Sequence, residues 1–243
     1  YDYLCEKVCS RSGIDKPIQI GKLQSFLVEQ EKEEKMNFMK PGEPNGKKVA
    51  CIGAGPSSLS CARELALQGY EVTVYEANEK AGGMLTYGIL PSRLPQEVVD
   101  FDIETIKQAG VKIVCGHKVE REELETLKKE YDAVYVGVGL WKAKEVDVPG
   151  TEFAGVENAL DYLKAARSGD KDFKVGENVI VIGGGDVAMD CVSTAKQMGA
   201  NAVIVYRRTI EEAPANMEEV QSVQKMGIPI FTQFAPEEIL GEN

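Results

Sequence analysis

Two stretches of this sequence repeat one pattern, and the repeat restricts the possible folds more than any other feature does. Residues 47–77 read KKVACIGAGPSSLSCARELALQGYEVTVYEA, and residues 177–208 read ENVIVIGGGDVAMDCVSTAKQMGANAVIVYRR. Each stretch has an apolar strand, a glycine turn, a helix, a glycine stop and a second strand. Because strands that alternate with helices form parallel sheets from βαβ units, the sequence predicts an α/β protein with two Rossmann-like nucleotide-binding domains.

The segments around the repeat predict the order of the domains. The first 45 residues are polar with a helical pattern, and the charged connector QEKEEKMNFMK leads into the turn region PGEPNG. We therefore expect a helical segment and connector over 1–45, a first nucleotide-binding domain over 46–168 and a second over 169–243. Further strands are predicted at VKIVCG, DAVYVGVG and IPIFTQ.

Composition excludes several classes of protein. The net charge is -11, with 39 acidic residues against 28 Lys and Arg, which disfavours a nucleic-acid partner. No stretch approaches the roughly 20 apolar residues that a membrane span requires, and no signal peptide opens the chain. The six cysteines are not spaced as a disulfide framework. These features predict a cytoplasmic protein.

The first repeat carries the pattern of a site for an adenine dinucleotide. Gly53 and Gly55 stand where the strand must turn tightly and let a pyrophosphate approach a helix N-terminus. Ser58 occupies the third glycine position and is small enough for close packing of helix on strand. Glu76 ends the second strand, where a carboxylate can accept hydrogen bonds from both hydroxyls of an adenosine ribose.

The second repeat has Gly183, Gly185 and Ala188 in the corresponding places, but its second strand ends in Arg207 and Arg208. We expect these arginines to share the position of Glu76, where guanidinium groups would bind an adenosine 2′-phosphate. The alternative is a solvated strand end. Two sites of different type predict a flavin in the first and a nicotinamide in the second, with hydride passing from NADPH to FAD.

Three segments make the sequence resemble the small subunit of glutamate synthase and its relatives. The segments are GAGPSSLSCA, EKAGGMLTYGILPSRLPQEVVDFDIE, and GGGDVAMDC followed by VYRRTIEEAPA. The relatives include the flavin region of dihydropyrimidine dehydrogenase and electron-bifurcating transhydrogenase subunits. The resemblance implies an oxidoreductase module that passes hydride from NADPH to FAD and electrons onward to iron–sulfur clusters and to a partner subunit or appended domain.

The resemblance also implies which residues hold each cofactor. Arg93 is expected near the flavin, Val119 behind the adenine, and Gly139 where the site closes. The residues expected to contact FAD are Gly53, Ala54, Gly55, Pro56, Ser57, Ser58, Glu76, Ala77, Gly82, Gly83, Met84, Leu85, Arg93, Val119 and Gly139. Those expected to contact NADP(H) are Gly183, Gly184, Gly185, Asp186, Val187, Arg207 and Arg208.

The start of the chain, LCEKVCSRSGIDKPIQIGKLQSF, resembles the end of the family's iron–sulfur domain. Cys5 and Cys9 would be ligands there, but two thiolates cannot complete a four-cysteine [4Fe–4S] site. We therefore expect a cluster only in a longer parent protein, of which this sequence is an interior piece. The Gly-Asp pair that completes the flavin site in the family is also expected outside this chain.

Other functions stay open at this point. The resemblance covers electron-input subunits of both the dihydropyrimidine dehydrogenase and transhydrogenase types. A disulfide reductase of the thioredoxin reductase type also couples NADPH to FAD, but it needs a redox-active C-x-x-C, which this sequence lacks. A third possibility is an NADP(H)-binding module without chemistry.

Overall fold

The computed structural model describes residues 4–36, 38–143, 146–167 and 173–241, and it confirms the predicted α/β fold with parallel sheets. The strands are β1 (Lys48–Ile52), β2 (Glu71–Tyr75), β3 (Lys112–Val114), β4 (Ala133–Val136), β5 (Asn178–Ile182), β6 (Asn201–Tyr206) and β7 (Ile230–Thr232). The helices are α1 (Leu4–Lys7), α2 (Ile20–Glu33), α3 (Pro56–Leu67), α4 (Met84–Tyr87), α5 (Gln96–Gln108), α6 (Arg121–Glu130), α7 (Ala159–Arg167), α8 (Asp186–Gln197) and α9 (Met217–Lys225).

The first sheet has the strand order β3-β2-β1-β4, and every pairing in it is parallel. Its central strands are buried, so β1 and β2 are almost continuously apolar in sequence rather than alternating. Helices α3 and α5 cover one face, where Leu59, Ala62, Val99 and Ile103 join the strand residues in one core. This core places the carboxyl end of β1 directly before the start of α3.

The second sheet is parallel with the order β5-β6-β7. Its core combines Ile204 and Tyr206 of β6 with Met189 and Val192 of α8 and Val220 of α9. We call each sheet with its helices a unit. The second unit has β5 and α8 in the places that β1 and α3 have in the first.

Four of the helices end in the same way. In each, the second residue after the end of the helix is a glycine with positive φ, as the glycine stops in the sequence predict. These glycines are Gly69 after α3, Gly110 after α5, Gly199 after α8 and Gly227 after α9.

The strand register corrects one expectation about the repeat. The N–H of Gly53 donates to Tyr75 O, whereas the N–H of Gly183 donates to Val205 O. Tyr206 therefore occupies the position of Glu76, and the prediction that Arg207 shares that position was wrong. Both second strands end in a tyrosine, but β6 has six residues and β2 has five, so the two tyrosines are not equivalent.

Two sets of contacts hold the chain where it passes between the two units. Helix α7 packs on α8, and Leu163 of α7 joins Leu90 and Cys191 in a small apolar cluster between the units. The chain that leaves the second unit returns beside the one that enters it, where Ile239 N donates to Pro149 O. The predicted domain boundary at 168 and 169 lies outside the described residues and stays a prediction.

The helical pattern predicted for the N-terminal segment is present as α1 and α2, which bury no residue of their own. Phe26 and Leu27 of α2 are mostly exposed. Within the described ranges, no helix combines the length and apolar composition that crossing a membrane would need.

Candidate dinucleotide-binding sites

Two glycine stretches face each other at the carboxyl end of β1. Helix α3 begins at Pro56 directly after Gly55, and no side chain caps its first turn. Gly83 has a φ of 56°, and a Cβ added there would lie 2.8 Å from Gly55 Cα. Backbone of Gly83 thus lies close to the glycine turn, and the first turn of α3 has no side-chain cap, which is compatible with anion binding at a helix N-terminus.

Ser58 packs where the third glycine of the fingerprint would stand. It is fully buried, and its hydroxyl lies 3.5 Å from Ile52 O. A Cβ added at Gly137 would overlap the Ser58 hydroxyl, so α3 approaches β4 closely only because Gly137 has no side chain. Sequence analysis missed this role of Gly137, although the V-G-V-G pattern after β4 was the available signal.

Glu76 is buried, with 5% of its surface exposed, and it links the glycine turn to the loop after β2. One carboxylate oxygen accepts a hydrogen bond from Ala54 N at 2.6 Å. The other accepts from Asn78 N at 2.8 Å and from Asn78 Nδ2 at 2.7 Å. Since an ionised carboxylate offers about four acceptor positions, capacity for a ligand hydroxyl remains. Nothing in the sequence pattern indicated Asn78.

The segment from Gly82 to Leu85 is joined to the first glycine turn. The N–H of Gly82 donates to Ala54 O at 2.7 Å, and Leu85 N donates back to Gly82 O at the start of α4. Gly82 and Gly83 are buried, whereas Met84 and Leu85 are half-buried. The structure therefore brings Gly53, Ala54, Gly55, Pro56, Ser57, Ser58, Glu76, Gly82, Gly83, Met84 and Leu85 to one edge of the first sheet.

We expect Gly83→Ala to abolish cofactor binding at this edge while leaving the second unit intact. The added methyl would meet Gly55 Cα in a left-handed backbone conformation that alanine adopts only at a cost of about 1–3 kcal/mol. Flavin content after reconstitution, measured beside NADPH binding, checks this. Gly46→Ala is the control, because Gly46 also has positive φ but has open space around its Cβ position. Equal flavin loss in both variants would contradict it.

Three residues predicted from the resemblance lie farther from the turn. Ala77 is exposed beside Glu76, and Val119 is half-buried just before α6. Gly139 follows β4, and a Cβ added there would lie 3.9 Å from Trp141 Nε1. The roles of these three residues in cofactor binding stay predictions.

Lys164 is a cation beside the same edge of the sheet, and the sequence analysis did not identify it. Lys164 of α7 donates to Asn78 Oδ1 at 2.9 Å, so it contacts the residue that holds Glu76. Its Nζ also lies 5.6 Å from the ring centroid of Tyr87 and 5.7 Å from that of Trp141, within cation–π range.

Arg93 forms ion pairs across the junction of the two units. Its Nη1 donates to Asp190 Oδ1 at 2.9 Å, and its Nε lies 3.0 Å from Glu219 Oε1. Asp190 and Glu219 belong to α8 and α9 of the second unit. The expected contact between Arg93 and the flavin stays a prediction.

The second unit has its own glycine turn. Gly185 directly precedes α8, again with no side-chain cap, and Ala188 packs 3.5 Å from the Cβ position of Gly183. A Cβ added at Gly184 would lie 2.6 Å from the ring of Tyr206. Tyr206, which takes the place of Glu76, thus closes one side of the turn with an aromatic ring, and its hydroxyl donates to Glu212 O.

Two hydrogen bonds hold the loop 209–216 beside this turn. Ala215 N donates to Gly184 O, and Asn216 N donates to Asp186 Oδ1 at 2.8 Å. One oxygen of the Asp186 carboxylate is therefore engaged by the loop. Val187 is largely exposed at the next position.

Arg207 and Arg208 are exposed and extend beyond the end of β6. In the described ranges no carboxylate lies within ion-pair distance of either guanidinium group. The nearby Glu212 carboxylate instead accepts from the N–H and hydroxyl of Thr209. Their predicted role in binding an anionic ligand stays a prediction.

Cys5 lies in α1, and Cys9 directly precedes a 3-10 helix at Ser10–Gly13. Backbone hydrogen bonds from Ile18 and then Arg11 lower the pKa of Cys9, which favours its thiolate. Over the described part of the chain, no three His, Cys, Asp or Glu side chains group as a metal site.

Two Rossmann-like units, each with a glycine turn before a helix, are typical of oxidoreductases that bind two dinucleotides. Residues 47–243 match the family model of the pyridine nucleotide-disulphide oxidoreductases, and the chain belongs to that family. This confirms the predicted resemblance. Over 99% of its length the chain is 42% identical to the NAD-dependent dihydropyrimidine dehydrogenase subunit PreT of Escherichia coli K12, covering 58% of that protein. It is 34% identical to the glutamate synthase [NADPH] small chain of Azospirillum brasilense over 100% of its length, covering 53% of that protein.

A solved structure has the same fold. Mycobacterium tuberculosis FprA in complex with NADPH superposes with a TM-score of 0.67 at 18% identity, covering 82% of this chain and 62% of FprA. The chain thus spans little more than half of the two curated relatives described above.

Proposed function

We propose that the first unit binds FAD and the second binds NADP(H), so that the chain is the flavin-reducing module of a longer oxidoreductase. The observation that carries the proposal is the difference between two similar turns. The first turn is hydrogen-bonded to the buried carboxylate of Glu76, whereas the second belongs to a unit whose second strand is followed by the exposed Arg207 and Arg208. An acid suits a ribose with free hydroxyls, and arginines suit a phosphorylated one.

The residues of the first unit fit FAD. Pyrophosphate needs close backbone approach, and the space between Gly55 and Gly83 would be filled by a single Cβ. The adenosine ribose needs an acceptor, and Glu76 is held in place by Ala54 and Asn78. Bound flavin would supply the ability to accept a hydride and pass its two electrons on one at a time, a combination that amino-acid side chains do not offer.

The choice between NADP(H) and NAD(H) depends on the second unit. The names of the relatives point both ways, since PreT is named as NAD-dependent and the glutamate synthase small chain as an NADPH enzyme. Arg207 and Arg208 favour NADP(H), because exposed guanidinium groups without counter-ions gain charge-assisted hydrogen bonds from a 2′-phosphate. Tyr206, in the place of Glu76, removes the carboxylate that would repel that phosphate.

Electrons would leave through iron–sulfur clusters to an electron-accepting subunit or appended domain. Cys5 and Cys9 would supply two thiolate ligands to a [4Fe–4S] cluster in the longer protein, and the lowered pKa of Cys9 supports thiolate ligation. A glutamate synthase-type and a dihydropyrimidine dehydrogenase-type acceptor both agree with the relatives. A disulfide substrate does not fit, because the sequence has no C-x-x-C.

The test uses the full-length protein, purified anaerobically and reconstituted with FAD. We expect about one FAD per chain, and we expect NADPH to bleach the visible flavin absorbance within a single turnover. Protein that binds NADPH but takes up no flavin would instead be a binding module without chemistry. Protein that takes up flavin that NADPH cannot reduce would refute the order of electron transfer.

A further inference from the structure

An ion cluster joins the two units through Arg93, and its contacts go beyond the place near the flavin that the resemblance implies for this residue. Arg93, from the loop before α5, contacts Asp190 of α8 at 2.9 Å and Glu219 of α9 at 3.0 Å. The side chains are 21%, 9% and 21% exposed, respectively. A single guanidinium group of the first unit therefore bridges two helices of the second in a partly water-excluded setting.

This geometry favours one relative orientation of the units. Removing either carboxylate takes an ion-pair partner from a guanidinium group that is only 21% exposed, and partly buried pairs are screened by salt much less than surface pairs. Arg93 also anchors two helices with one rigid fork of donors, which a point charge such as lysine could not do equally well. A shift of α8 and α9 against the first unit would break both contacts together.

A second arginine connects α7 to the first unit. Arg167, at the end of α7, donates through Nε to Thr86 O at 2.6 Å and through Nη2 to Gln96 Oε1 at 3.4 Å. Its Nη1 is buried and has no hydrogen-bond partner within the described part of the chain. These hydrogen bonds add to the contacts that Arg93 makes between the units.

We propose that Arg93, Asp190 and Glu219 form an ionic latch that holds the second unit in the orientation needed for hydride transfer. The consequence for hydride transfer rests on the proposed function, but the latch itself does not.

The first arm of the test measures orientation in the full-length protein and needs no turnover. Spin labels are introduced at the exposed residues Gln108 of α5 and Gln224 of α9 as genetically encoded side chains. Thiol labels are avoided because Cys5 and Cys115 are exposed. We expect one narrow distance distribution in the unmodified protein, a broader one in Arg93→Gln and in Glu219→Gln, and a distribution of intermediate width in Arg93→Lys.

The second arm measures flavin reduction by NADPH in the same variants. We expect the limiting rate to fall at least tenfold in Arg93→Gln while the NADPH Kd changes less than twofold, because the latch positions the units without touching the nucleotide. The Arg93→Gln/Glu219→Gln double variant should be no slower than Arg93→Gln alone. Glu71→Gln, which removes the exposed ion pair with Lys48, is the control and should change neither arm.

The outcomes separate the latch from the proposed function. Unmodified protein that NADPH cannot reduce refutes the proposed function, whereas the distance distributions still test the latch. Unchanged distributions in both Arg93→Gln and Glu219→Gln overturn the latch whatever the rates do. If Arg93→Gln fails to fold, Glu219→Gln is compared with Arg93→Lys instead. The latch is contradicted if both variants keep a narrow distance distribution, or if both have equally broad ones.

Discussion

Replacing Arg207 and Arg208 together with glutamine will weaken NADPH binding at least tenfold and leave NADH binding unchanged. Each guanidinium group without a protein counter-ion is expected to form charge-assisted bonds to the 2′-phosphate, worth roughly 1.5–3 kcal/mol apiece. A tenfold loss corresponds to only about 1.4 kcal/mol, so the estimate is conservative. NADH has no 2′-phosphate, and its affinity therefore reports any general damage to the fold.

Titration of the full-length protein with both nucleotides, together with flavin reduction rates, measures this preference. Lys196→Gln/Lys225→Gln is the matched control, because it removes two exposed cations from the last turns of α8 and α9 in the same unit. Its effect on NADPH should be below twofold. Equal losses for the two nucleotides, or an original preference for NADH, would make Arg207 and Arg208 a solvated strand end.

Glu76→Ala is expected to destroy FAD binding and to destabilise the first unit by at least about 2 kcal/mol. The substitution removes the acceptor for the ribose hydroxyls and also leaves the N–H groups of Ala54 and Asn78 without their partner. A buried donor that loses its acceptor costs about 1–3 kcal/mol. Glu76→Gln should be milder, because its amide oxygen still accepts from one side.

Thermal unfolding of the flavin-free protein separates the structural loss from the loss of FAD affinity, which is measured by flavin fluorescence. The control is Glu79→Ala, which removes an exposed carboxylate from the same loop. Retention of normal FAD affinity in Glu76→Ala would mean that the ribose is held elsewhere. Loss of stability without loss of affinity would restrict Glu76 to a structural role.

Local patterns in the sequence determined the order of strands and helices, the two glycine turns and the glycine stops. These features depend on periodicity over a few residues and on backbone conformations that glycine adopts most readily, so each can be recognised without its tertiary partners. The identity of Ser58 as a tolerated third position also follows from side-chain size alone. Helices α6 and α7 were not identified.

Contacts between distant segments were decided only by the tertiary structure. Gly137 matters because α3 places Ser58 against it, and Glu76 is held by Asn78 through a loop geometry that has no sequence signature. The equivalence of Glu76 with Tyr206, rather than with Arg207, is a matter of strand register, which hydrogen bonds to the preceding strand determine. Arg93 meets Asp190 and Glu219 because two separately folded units pack together, and no local pattern encodes how one unit is oriented on the other.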